Sequence, residues 1–138
     1  MNIKDINKNL EKITCRLEDI FGRQRELMHK YHNIEKKNGL LQTESVPVDI
    51  NSKEGQQRLK DFAWRITEEL GEAMNCLKNK PWKQTHFQTD LDHYYEEISD
   101  AFHFFIELCI LSGLDAEGLY QLYYKKSRVN KFRQESNY

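Results

Sequence analysis

Two short acidic clusters carry the chemistry that this sequence can be expected to perform. The first is Glu68-Glu69-Leu70-Gly71-Glu72, and the second is Glu97-Ile98-Ser99-Asp100, with His103 and Glu107 following. Each lies in a stretch that otherwise reads as buried helix, and a helix brings residues three or four apart onto one face. Glu69 with Glu72, and Glu97 with Asp100, each present two carboxylates side by side. Buried carboxylates are costly unless they are paired or sit on a metal. Four of them converging on a core suit hard divalent cations, which take oxygen ligands. The bland alternative is a carboxylate line neutralised by Arg65 or by lysines. A carboxylate not fully engaged by metal can take a proton from water, and Glu68 or Glu69 is the candidate for that catalytic role. His103, on the same polar line, is expected to hydrogen-bond in a pocket rather than to ligate.

Three other features suggest what such a centre would act on. Gln24 is the one polar residue in an otherwise apolar helical seam. It either sets register, as polar seam residues do in coiled coils, or offers an amide, donor and acceptor together, to a nucleobase edge. The linker Lys78-Asn79-Lys80-Pro81-Trp82-Lys83 is expected to bring cations and an indole beside the first acidic cluster. Trp82 there is either a packing anchor or a surface for a planar ligand. From Lys125 to Arg133 the chain carries Lys125, Lys126, Arg128, Lys131 and Arg133 and no acid. A helix C-terminus favours some of these cations; together with Asn130 and Tyr138 they read as a polyphosphate clamp. Metal, cations and a base-reading amide together imply a nucleoside triphosphate. The chain has no G-x-x-x-x-G-K-[ST] loop, so phosphate must be held by metal and side chains. Glu26 and His29 form an E-x-x-H off the apolar stripe and are expected in solvent.

The elements that must position these groups are helical throughout, with no alternating strand pattern. A first helix is expected from about Ile3 to Glu35, on a seam of Ile3, Ile6, Leu10, Ile13, Leu17, Ile20, Gln24, Leu27, Tyr31 and Ile34. Asn38-Gly39 and Pro47 mark a connection. A second helix starts at an Asn51–Glu54 capping box, buries Leu59, Phe62, Ile66, Leu70, Ala73 and Leu77, and stops at Lys80-Pro81. A third runs from Thr89 or Asp90 to Gly113 and is apolar around most of its circumference, so it is expected to be buried nearly all round. A fourth runs from Asp115 to about Arg133, with Leu119, Leu122, Tyr123, Val129 and Phe132 as apolar contacts. The expectation is an all-α bundle of four to five helices, a single domain over residues 1–138.

Composition narrows the setting. With 31% charged residues and a net charge of −1, the chain has no bulk attraction for a nucleic-acid polymer or an anionic membrane. Its most apolar run, Ala101 to Leu111, is too short to span a bilayer. The cysteines Cys15, Cys76 and Cys109 are dispersed and odd in number, which suits a reducing compartment. A cytoplasmic protein is expected.

The pair E-E-x-x-E at Glu68–Glu72 and E-x-x-D at Glu97–Asp100 resembles the all-α nucleoside triphosphate pyrophosphatases, the superfamily of the dimeric dUTPases and the MazG-like enzymes. The likeness extends to bacteriophage dCTP/dUTP pyrophosphatases through Gln24-x-x-Leu27, Lys80-Pro81-Trp82-Lys83, Asp100-Ala101-Phe102-His103-Phe104-Phe105, and the tail Asn130-Lys131-Phe132-Arg133-Gln134 to Tyr138. It spans about residues 24–138. Met28 stands where dimeric dUTPases usually have Asn, and a helical insertion of that group is missing. The resemblance implies cleavage of dUTP or dCTP to the monophosphate and pyrophosphate. It implies Mg²⁺, two or more ions per site, on Glu69, Glu72, Glu97 and Asp100. It further implies base contacts from Gln24 and Trp82, sugar near His103, and phosphate on Lys126, Asn130, Arg133 and Tyr138, with Lys80 and Lys83 close by. A homodimer is expected from it and from the heptad-like first helix. Two rival readings are a di-iron carboxylate oxidase, which needs E-x-x-H on two inward helices where only Asp100-x-x-His103 qualifies, and a non-enzymatic helical interaction protein.

Overall fold

The computed structural model describes residues 15–40 and 45–136. Ile3, Ile6, Leu10 and Ile13 of the expected seam, and Tyr138, lie outside the described residues. Within them the protein is all-α, four helices with no strand: α1 (Arg16–Lys37), α2 (Lys53–Asn75), α3 (Leu91–Leu111) and α4 (Ala116–Glu135).

Local chemistry sets the helix ends. α2 is capped by Ser52, not Asn51: the Ser52 hydroxyl accepts from the Gly55 N–H at 2.9 Å. The Asn51 N–H is taken by the Asp49 carboxylate at 3.0 Å, which moves the cap one residue on. Only glycine fits at 55, since a Cβ there would fall 2.0 Å from the Asp49 carbonyl oxygen. α2 ends at Asn75, short of the expected Lys80-Pro81. The Cys76 and Leu77 N–H groups bond three residues back, to Ala73 and Met74, and this tightened turn closes the helix before proline is reached. Beyond it, Asn79 braces the connection, donating to the Phe87 carbonyl at 2.8 Å and accepting from the Phe87 N–H at 2.7 Å. Asp90 caps α3 by accepting from the His93 N–H. At the other end Gly113, at φ 89°, allows the paired bonds Leu114 N–H to Cys109 and Gly113 N–H to Ile110 that close a Schellman turn. Asp115 caps α4 through the Gly118 N–H at 2.7 Å, and α4 continues to Glu135, past the expected Arg133.

α2 and α3 form the main pair and run antiparallel, since Phe62 meets Phe104 edge-on at 6.1 Å while Glu69 meets Glu97. α1 packs on α3, and α4 makes only a light contact with α1. Phe21, Met28, Phe62, Ile106, Ile110 and Leu111 are the heart of the core. Their burial, roughly 1.5–3 kcal/mol per large side chain, fixes the helices that carry the acids.

Four packing expectations need correction. On the expected buried stripe of α2, Leu70 is 43% exposed because it lies on the side of the helix that its neighbours leave uncovered, and Leu77, past the helix end, is 46% exposed. The inward face of α1 is Phe21, Gln24 and Met28, all buried, whereas Tyr31 and Ile34 are 43% and 56% exposed. The seam thus turns by one residue, because Phe21 and Met28 fill the space against α3 and leave Tyr31 and Ile34 on a flank. α3 is enclosed only over its last turns, from Ile106 to Leu111. Along the rest Leu91, Tyr95, Ile98, Phe102 and Phe105 are exposed, because α1 and α2 cover one side only. On α4, Ala116 is buried and Leu119 packs on the core, but Leu122, Tyr123, Val129 and Phe132 are exposed, so most of this helix projects from the bundle.

Candidate metal centre and cleft

Three of the four expected ligands converge. Glu69 of α2 and Glu97 and Asp100 of α3 each offer a carboxylate oxygen within 4.8 Å of the others. The spacing explains it: Glu97 and Asp100 share a face of α3 by the three-residue rule, and antiparallel packing sets that face against Glu69. Glu72, one turn on, is more exposed but close enough to hydrogen-bond Glu97.

The electrostatics are those of acids crowded together. Burial, with a hydrogen bond to Glu97 and the charges of Glu72, Asp100 and Glu97, pushes the Glu69 carboxyl up to about 7. Glu72 is raised too, chiefly by its hydrogen bond with Glu97 and by that residue's charge. Burial would raise Glu97, but hydrogen bonds from Glu72, His93 and Glu69 outweigh it and hold that carboxyl below its usual value. His93 Nε2 lies 2.9 Å from one Glu97 oxygen. The other oxygen, Oε2, is buried and among the described residues meets no N–H or hydroxyl donor; its polar neighbours are the carboxyls of Glu69 and Glu72, which reach Glu97 only by sharing a proton. Among the described residues no lysine or arginine forms an ion pair with any of the four acids. Arg65, the cation offered by the bland alternative, lies over the Phe62 ring at 4.5 Å and the Phe104 ring at 6.0 Å instead. A buried carboxylate oxygen without an N–H or hydroxyl donor, amid acids that no lysine or arginine of the described residues neutralises and only His93 approaches, fits a hard divalent ion.

The cluster borders a cleft of about 530 Å³ whose lining includes Gln24, Arg65, Glu69, Asp100, His103 and Glu107. Gln24 and His103 were both expected at a ligand. His103 Nδ1 lies 2.8 Å from the Ser99 carbonyl, which orients the ring. Of the two carboxylates considered for proton transfer, Glu69 is in the cluster and Glu68 is exposed outside it. Glu26 and His29 are exposed, as expected.

The other expected contacts are not brought together with the acids. Lys80, Trp82 and Lys83 are exposed on the connection, with Lys80 over the Trp82 indole at 5.6 Å, and none lines the cleft. The linker cation near the first cluster is Lys78, which shares a smaller hollow with Glu72 and His93. Lys126 and Asn130 are exposed on α4, Arg133 is half-buried there, and none of the three lines the cleft.

Sequence reasoning singled out Gln24 and Glu107 but missed the polar residues around them, Arg58, Glu35 and His32. Arg58, 5% exposed, donates to both carboxylate oxygens of Glu35 at 2.6 and 3.3 Å. Glu107, 1% exposed, accepts from Gln24 Nε2 at 3.4 Å and lies 4.0 Å from His32 Nε2. The signal for Arg58 was present, a charged residue four before Phe62 on the buried stripe of α2. Comparison with known proteins adds no relative: no family model, no curated protein and no solved structure matches the chain.

Proposed function

We propose that this protein is an enzyme, a Mg²⁺-dependent pyrophosphatase that hydrolyses a deoxypyrimidine nucleoside triphosphate, dUTP or dCTP, to the monophosphate and pyrophosphate, and so clears the nucleotide pool. The observation that carries the reading is the buried Oε2 of Glu97, which no N–H or hydroxyl of the described residues reaches, within a carboxylate set that pairs with no lysine or arginine among the described residues. Glu69, Glu72, Glu97 and Asp100 would hold the ions. Bound there, divalent ions would neutralise charge on the phosphates and acidify water. Glu69, where its carboxylate is not fully engaged by metal, takes the proton as water attacks the α-phosphorus and pyrophosphate leaves. Gln24 faces the base and His103 the sugar. Lys126, Asn130, Arg133 and Tyr138 of the tail, with Lys80, Trp82 and Lys83 of the linker, are the candidates for phosphate and base contacts once chains assemble or elements close on substrate.

The exposed residues of α3 support a homodimer. Leu91, Tyr95, Ile98, Phe102 and Phe105 recur at intervals of four, three, four and three, a heptad seam of the kind that pairs helices. The seam by itself also supports the non-enzymatic interaction protein, but it gives the converging acids no role. Among the described residues no helix is long and apolar enough to cross a membrane.

The test is release of pyrophosphate from each common nucleoside triphosphate with Mg²⁺ and with excess chelator. Turnover of dUTP or dCTP that the chelator abolishes is expected. A broader substrate range would point to a MazG-like enzyme, and no turnover of any nucleotide ends the enzymatic reading.

A further inference from the structure

The cleft has a second polar end that the metal chemistry does not use. Glu107 follows Asp100 by seven residues and returns to the same face of α3, about 10 Å along the axis at 1.5 Å per residue. Both residues line the cleft, so a ligand held at the acids has this end of the cleft open to its far side.

Glu107 is poorly satisfied. Among the described residues it has one hydrogen bond, from Gln24, and that is long at 3.4 Å. His32 Nε2, 4.0 Å away, is itself buried without a hydrogen-bond partner. A carboxylate has about four lone-pair sites, so most of its accepting capacity is unused. Burial pushes this carboxyl up to about 7, while Arg58 and Arg65 draw it down, Glu35 pushes it up and Gln24 lowers it. Ionised, Glu107 can only accept. The Gln24 amide must then turn its NH₂ toward Glu107, which leaves the amide oxygen as a second acceptor. No hydrogen bond to that oxygen occurs among the described residues.

We propose that Gln24 and Glu107 are the base-selecting pair, and that two acceptors at this end of the cleft select cytosine over uracil. Cytosine presents an amino group with two hydrogens at N4, the group that Glu and Asp recognise. Uracil has a carbonyl oxygen there, which would set lone pairs against lone pairs. Glu107 therefore acts twice, as an acceptor for the base and as the residue that fixes which way Gln24 faces.

This inference rests on the nucleotide reading, and one set of measurements separates the two. Wild type and Glu107→Gln are assayed with Mg²⁺ and dCTP or dUTP at pH 8. In parallel, dCMP and dUMP are titrated calorimetrically into each protein without metal. Wild type is expected to favour dCTP in kcat/KM, and dCMP in affinity, by roughly 10- to 100-fold. In Glu107→Gln the preference collapses to within about threefold, chiefly through KM for dCTP, because an amide at 107 satisfies either orientation of Gln24. Glu107→Asp, which keeps the acceptor but withdraws it, should keep part of the preference and serves if the Gln variant does not fold. If wild type turns over nucleotides but favours dUTP, or if folded variants keep the wild-type ratio, the base assignment is overturned and the activity stands. If wild type turns over none, both fall.

Discussion

Arg58 of α2 reaches across to Glu35 near the end of α1 and binds both of its carboxylate oxygens, at 2.6 and 3.3 Å, from a position 5% exposed. This fork ties α1 to α2 beneath the cleft. Removing one partner strands a buried charge, which costs more than the pair contributes. Arg58→Ala should lose about 3 kcal/mol of stability, read as a lower urea midpoint. Arg58→Leu with Glu35→Leu should lose clearly less, because no charge is left behind.

The acidic cluster should bind metal at the expense of its own repulsion. Without metal, Asp100→Ala should leave the melting temperature unchanged or raise it, since a like charge has gone. With Mg²⁺, wild type should melt higher, while Glu72→Ala and Asp100→Ala should gain little. Pyrophosphate release in both variants should fall by at least about 100-fold, beyond the usual effect of losing an outer-shell partner. Circular dichroism should stay helical in each.

Glu107 should make the fold less stable as pH rises. Its carboxyl lies near 7 in the folded chain against 4.5 for the free group, so the folded state holds the proton more tightly. That stability is complete below pH 4.5 and is lost as pH climbs through 7, to a total of about 3 kcal/mol at most. Glu69 moves the same way, so wild type alone cannot isolate the effect. Melting temperatures of wild type and Glu107→Gln, compared in chelator from pH 5 to pH 8, should diverge in favour of the variant toward the alkaline end.

The seam on α3 should govern assembly. Wild type is expected to sediment as a dimer at micromolar concentration, and Phe102→Glu as a monomer, because a charge within an apolar heptad face is left desolvated on pairing. A wild-type monomer at high concentration would remove the dimer.

The acids were legible because three-residue spacing on a helix is a purely local rule, and two such pairs on neighbouring helices had to face the same core. Asp90, Asp115 and Gly113 were legible for the same reason, each acting within its own turn. Who covers a helix is not local. The apolar circumference of α3 shows which residues avoid water but not whether they meet this chain or another, so burial all round was expected where half is bare. Arg58 with Glu35, and Gln24 with Glu107, are contacts between helices far apart in sequence that periodicity alone does not pair. The basic run of α4 was grouped with the acids on its charge, on Asn130 and Tyr138 and on the resemblance of the tail, none of which fixes a distance, and none of its described cations lines the cleft.

Every carboxylate of the cluster stands on α2 or α3, and none on the stretch from Cys76 to Asp90 that joins them. The joint is therefore a tether rather than a template. A single protease cut between Trp82 and Lys83 would leave two fragments clasped by the Phe62–Phe104 contact, with the acids still confronting one another. Splicing a longer segment there would displace Lys80, Trp82 and Lys83 but neither pair of acids, so metal binding should outlast an insertion that costs the substrate its linker contacts.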